Sequence, residues 1–222
     1  MSVSLKKGQK VDLTKGNSGL KRVMVGLGWD EAQKPGGFGR LFGGRSTLDF
    51  DCDAMAFVLQ KGQITQRQDV VFFNNLNHPT GCVIHRGDNL TGGGQGDDEQ
   101  IMVELSRLPM EYDRIVFVVS IYQANERRQH FGMIKNAFIR IVDADTSKEL
   151  CIYNLSSEDY DGKCAMVFCE LYRKDGEWKF NAIGQPMNIW AVDDLAEGYG
   201  LPKNVWREIF NITGKEVFYY GS

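Results

Sequence analysis

The sequence predicts a mainly β protein, a two-sheet β-sandwich with a few short peripheral helices. Three observations carry that prediction. Short runs of apolar, β-branched and aromatic residues recur along the chain, separated by Gly, Asn, Asp and Pro turn signals. Helical periodicity is confined to three short stretches. The composition, 42% hydrophobic and 25% charged over 222 residues, is that of a globular chain with a single core.

The strands follow in order. Val23-Met24-Val25-Gly26-Leu27 is apolar and ends at Gly28, and Ala54 to Leu59 stops before Lys61-Gly62. Val70 to Phe73 runs into Asn74-Asn75, and the turn HPTG at 78–81 precedes Cys82-Val83-Ile84. Ile101 to Leu105, Ile115 to Ile121 and Phe138 to Val142 are rich in β-branched residues. Ala165 to Tyr172 and Trp178 to Ile183 flank RKDGE, whose Asp175-Gly176 pair is a hairpin signal. Helices are expected at Asn125 to Lys135, with Asn125 as the cap, and at Asp193 to Tyr199 and Lys203 to Phe210. Residues 1–200 read as one domain, and 201–222 as a C-terminal extension, helical and packed on the same domain.

Net charge is −3, which gives no general attraction to nucleic acid. The start, MSVSLKKGQKVDLTKG, has no apolar core of a signal peptide, and no run approaches the roughly 18 apolar residues of a membrane span. Five cysteines without a C-x-x-C pair read as reduced, mostly buried thiols. A cytoplasmic location is the expectation. In the Gly-rich stretch QKPGGFGRLFGGR (33–45), Gly39 to Ser46 (GRLFGGRS) differs from a P-loop at one residue, with Arg45 in place of lysine, but an acidic strand follows where phosphate binding needs a helix N-terminus. Its Lys34, Arg40 and Arg45 alternate with Phe38 and Leu41-Phe42, which reads either as a plain insertion or as an element that touches an anionic membrane or acidic partner.

The densest chemical signal is GDNLTGGGQGDDE, Gly87 to Glu99. Between His85 and Glu99 four acids stand against the single base Arg86, a local excess as large as that of the whole chain. Asp88 to Glu99 has the length of an EF-hand loop, but Leu90 and Gly92 occupy two ligand positions. Ca²⁺ takes six to eight oxygens, so one loop is too few. DFDCD (49–53) offers more, because in an extended chain Asp49, Asp51 and Asp53 share one face while Phe50 and Cys52 take the other. Asp30, Asn74 and Asn75 add oxygens at strand ends. Taken singly these are turn residues; as an ensemble they suit a hard divalent cation. His78, His85 and His130 have no metalloprotease spacing and there is no G-x-S-x-G elbow, so no catalytic residue is assigned. Metal-dependent hydrolysis at the acidic residues is the alternative.

The segments GLGWD (26–30), FDCDAMAFVL (50–59), VFFNNL (71–76), GDNLTGGGQGDDE (87–99), FVVSIY (117–122), NAFIRIVD (136–143) and ELYRKDGEWKFNAIGQ (170–185) together resemble the TerD family, the tellurite-resistance and stress-response domain of bacteria. The resemblance covers about residues 1 to 200. It implies a calcium-binding β-sandwich with two ions held by Asp30, Asp51, Asp53, Asn75, Asp88, Asn89, Asp97, Asp98 and Glu99. The family's D-L-D-A-S is Asp51-Cys52-Asp53-Ala54-Met55 here, which removes a polar side chain at Met55. The resemblance also implies a role in resistance to tellurite and other chemical or phage stress. The expected partners are other proteins of such a system, at or near the inner face of the cytoplasmic membrane. The acids are not expected to bind the tellurite anion, because like charges repel.

Overall fold

The computed structural model describes residues 2–31, 50–87, 96–155, 160–188 and 191–211. The Gly-rich stretch 33–45, with its phosphate and membrane readings, lies outside these residues, as do Asp49, Asp88 and Asn89. Within them the chain forms β1 (Val3–Leu5), β2 (Lys10–Asp12), β3 (Arg22–Glu31), β4 (Cys52–Gln60), β5 (Val70–Val71), β6 (Val83–His85), β7 (Glu99–Glu104) and β8 (Tyr112–Ile121). Then come helix α1 (Ala124–Arg127), β9 (Ile134–Asp143), β10 (Lys148–Asn154), β11 (Ala165–Lys174), β12 (Glu177–Met187), α2 (Ala191–Gly198) and α3 (Lys203–Asn211).

The strands make two six-stranded sheets, ordered β1-β10-β9-β3-β7-β6 and β2-β12-β11-β8-β4-β5. The β1–β10 pair is parallel and the other strand pairs are antiparallel. This is the two-sheet sandwich that the strand pattern predicts. Alternation decides the faces: in β7, Glu99, Ile101 and Val103 are buried while Gln100, Met102 and Glu104 are half-buried. Val23, Val25 and Leu27 of β3 and Ile139 and Ile141 of β9 meet Ala54, Ala56 and Val58 of β4 and Ile115 and Phe117 of β8 in the core between the sheets.

β4 and β8 are buried on both faces, which explains why they read as nearly continuous apolar runs. A second apolar cluster holds Met55, Phe57 and Leu59 of β4 and Val116 and Val118 of β8 against Val192, Ala196, Leu201 and Trp206. The Trp206 ring of α3 meets Phe57 edge-on at 5.6 Å. Lys203 pairs with Asp194 and Arg207 with Asp193, tying α3 to α2.

The helix expected over Asn125 to Lys135 is corrected. Only Ala124–Arg127 is helical, with Arg128 at φ 54°, the left-handed region that ends a helix. A 3-10 turn follows at Phe131–Met133, and Ile134 and Lys135 join β9 opposite Glu31 and Asp30. Ladder hydrogen bonds there outweigh a weak helical preference. The short strands β1 and β2 and the strand β10 were not marked by the sequence pattern.

Cys52 pairs with Ile121, Leu27 with Glu99 and Gly28 with Phe138. The start of β4, the ends of β3 and β8, and the starts of β7 and β9 therefore lie at one end of the sandwich.

Candidate functional site: the acidic end of the sandwich

At that end Phe50 and Cys52 enter the inter-sheet core, which leaves Asp51 and Asp53 to the opposite face of the extended segment. Both aspartates are only 5% exposed. The Asp51 carbonyl accepts the Tyr122 N–H at 2.7 Å, fixing the entry to β4 against the exit from β8. Among the described residues β5 pairs only with Ala56 and Phe57 and leaves the first residues of β4 uncovered by a strand. Glu99 of the other sheet reaches these residues: its Oε2 accepts the Ala54 N–H at 2.6 Å. One buried carboxylate thus links the two sheets.

Asp98 is set beside it by β3. Its N–H donates to the Leu27 carbonyl at 2.7 Å and its Oδ2 accepts the Trp29 N–H at 2.8 Å. Burial pushes the Cys52 thiol well above its ordinary value, and the charges of Glu99, Asp53, Asp51 and Asp98 push it further in the same direction. Four carboxylates thus stand near enough for their charges to act on one thiol.

Asp97 has a different setting. Its side chain is fully buried, accepting Arg140 Nε at 2.7 Å and Nη2 at 3.1 Å, with Gln100 Nε2 at 3.2 Å. These bonds hold the Arg140 guanidinium above its usual value despite partial burial. The carboxylate lies across Gly26, where a Cβ would come within 2.3 Å of Asp97 Cγ, so the glycine is required for this close approach.

His85 closes the inner side. Its Nδ1 accepts the Gly87 N–H at 3.2 Å, which puts the ring proton on Nε2, 3.6 Å from Glu99 Oε2. Both side chains are 1% exposed. The acid that His85 faces is Glu99. Asp30 stands opposite Lys135 at a bulge in the β3–β9 ladder. Asn75 lies elsewhere along β4, where its Nδ2 donates to the carbonyls of Val70 at 2.7 Å and Gln68 at 3.1 Å. Among the described residues no three His, Cys, Asp or Glu side chains form a metal cage by themselves.

A second buried acid was not legible in the sequence. Asp69 Oδ1 meets His78 Nε2 at 3.1 Å, and His78 Nδ1 meets Thr80 Oγ1 at 2.8 Å. Asp69 Oδ2 also accepts the N–H and hydroxyl of Thr65, both at 2.8 Å, and the Gln66 N–H at 3.1 Å. Burial alone would raise this carboxyl; the hydrogen bonds, led by that of His78, outweigh burial and bring it to about 2. The line carboxylate–imidazole–hydroxyl has the order of a catalytic triad, but Asp69 and His78 are 0% exposed at the side chain. Sealed from substrate, it is a structural clamp.

A TerD domain family model matches residues 1–199. The chain belongs to the TerD family. Stress response protein SCP2 of Bacillus subtilis (strain 168) is 46% identical over 200 residues, covering 90% of this chain and 100% of the relative. Tellurium resistance protein TerD of Serratia marcescens is 47% identical over 186 residues, covering 83% and 91%. Among solved structures, a homologue of telluride resistance protein from Streptomyces coelicolor A3(2) superposes with a TM-score of 0.61 at 24% identity, over 82% of this chain and 99% of that one. At that identity the likeness shows the fold alone. The TerD-family chain thus shares its sandwich with the homologue and its sequence with proteins named for stress response and tellurium resistance. No helix among the described residues is long and apolar enough to cross a membrane.

Proposed function

We propose that this TerD-family chain is a Ca²⁺-dependent binding or scaffold module of a tellurite and chemical-stress response, with the acidic end of the sandwich as its ion site. The observation that carries the reading is the buried Glu99 of one sheet accepting the Ala54 N–H of the other, with Asp51, Asp53 and Asp98 near enough for their charges to act on Cys52 between them. Like charges so close repel, and a hard divalent cation supplies the opposite charge that carboxylate oxygens suit best.

Each residue has a part in this reading. Asp51, Asp53, Asp98 and Glu99 supply oxygens from the two sheets, and Asp30, Asp88 and Asn89 complete the set for two ions. Asp97, already neutralised by Arg140, anchors the acidic loop to β3 and β9 rather than holding an ion. Asn75 braces the turn after β5. The Ala54 and Trp29 N–H groups orient Glu99 and Asp98, and His85 holds Glu99 from behind. Metal binding then ties one sheet to the other at the end that a partner would read. The partners we propose are other proteins of the same stress-response system, with the chain in the cytoplasm or on the inner membrane face. Hydrolysis has less support, because His78 is sealed and His85 is held between Gly87 and Glu99.

Isothermal titration calorimetry on chelator-stripped protein tests the reading. Saturable Ca²⁺ binding is expected, with weaker binding of Mg²⁺, whose strict octahedron a flexible carboxylate site fits poorly. Asp98→Asn should remove most of the Ca²⁺ heat. Absence of Ca²⁺ binding to the parent would overturn the proposal.

A further inference from the structure

A cavity of about 470 Å³ opens between the sheets at the same end. It lies between the first residues of β9, the last of β10 and the first of β11, where the sheets diverge. Its inner walls are Phe131, Ile134, Tyr160 and Met166, each no more than 5% exposed. Its mouth is polar, with Lys135 and Asn154 both exposed. The volume falls in the range of small-molecule sites, which are mostly apolar with a few placed polar groups.

Two features show that the fold maintains this shape. Tyr160 is held by its hydroxyl, 3.1 Å from that of Tyr153, so its ring is fixed. Gly184, at φ 57°, makes room for that pair, since a Cβ there would lie 2.2 Å from the Tyr153 hydroxyl. Asn136, also lining the cavity, sits at φ 51° inside a β-strand.

We propose that this cavity binds a small, flat apolar compound carrying a single anionic group. The apolar body lies against Phe131, Ile134, Tyr160 and Met166, and the acid head meets the Lys135 ammonium and the Asn154 amide at the mouth. Lys135 is the cationic group among the lining residues, so it selects the sign of the head. Lys135 stands opposite Asp30, which the proposed function counts in the ion set, so the test is run in chelator, where dye binding succeeds or fails whatever Ca²⁺ does.

Fluorescence titration with 1-anilinonaphthalene-8-sulfonate, an aromatic anion, and N-phenyl-1-naphthylamine, its neutral relative, tests the assignment on the full chain. Both dyes should bind saturably at one site. Lys135→Met should weaken the anionic dye about tenfold and leave the neutral dye unchanged. Ala137→Phe and, separately, Leu155→Trp should weaken both by filling the cavity wall, with melting temperature and circular dichroism confirming a parent-like fold. If neither dye binds, or if both folded wall variants bind both dyes as the parent does, there is no site here. An anionic dye indifferent to Lys135→Met overturns the charge assignment.

Discussion

The two ends of the β4–β8 pair treat buried carboxylates in opposite ways. At the Gln60–Tyr112 end, Asp69 is surrounded by donors from Thr65, Gln66 and His78, and the His78 ring packs edge-on to Tyr112 at 4.9 Å. At the Cys52–Ile121 end, roughly 26 Å away at the rise of a strand, Asp51, Asp53, Asp98 and Glu99 all act by charge on Cys52. The first acid is completed by its own fold, and removing it should cost stability. The second group concentrates charge of one sign, and removing part of that charge should cost little until a cation is present.

The largest effect expected from this contrast is at Asp69. Asp69→Ala leaves the buried His78 Nε2–H and the part-buried N–H groups of Thr65 and Gln66 without their acceptor, which should cost about 3 kcal/mol in urea unfolding. A loss under about 1 kcal/mol would mean that the clamp is incidental and the contrast false.

The acid limb of stability comes next. Asp69 titrates at about 2 in the folded chain against an ordinary 3.8. A depressed carboxyl stabilises the fold fully above its unfolded value and loses that contribution as pH falls through the folded one. Between about pH 4 and pH 2 the parent should therefore lose about 2 kcal/mol from this group. Urea midpoints across that range should fall less steeply for Asp69→Asn than for the parent. Equal slopes would show that Asp69 carries no such linkage.

The contrast also explains what the sequence disclosed and what it hid. Strand runs such as IVFVVSI and AMAFVL report burial directly, so the sandwich was readable from periodicity, and Asp175-Gly176 marked the β11–β12 hairpin. The acidic end was readable because charge clusters in the chain itself, at 49–53 and 97–99. That Asp97 belongs to Arg140 was not readable, because the two stand 43 positions apart and only the β3–β7–β9 ladders bring them together. Asp69 and His78 were hidden for a similar reason: each sits in an ordinary turn sequence, and the tertiary contact alone turns them into a pair. The failed helix after Asn125 is a local preference overruled by the β9 ladder.

The smallest effect is the one whose sign decides most. Asp53→Asn keeps the shape of the side chain and removes one charge from the crowded end. Urea unfolding of parent and variant, each in chelator and in Ca²⁺, tests the central claim that this end needs a cation. In chelator the variant should match the parent or exceed it by up to about 1 kcal/mol, as like-charge repulsion is relieved. In Ca²⁺ at a hundredfold excess over Kd the parent should gain about 2.7 kcal/mol and overtake the variant. A parent that Ca²⁺ leaves unmoved, together with a variant that is less stable in chelator, would contradict the account.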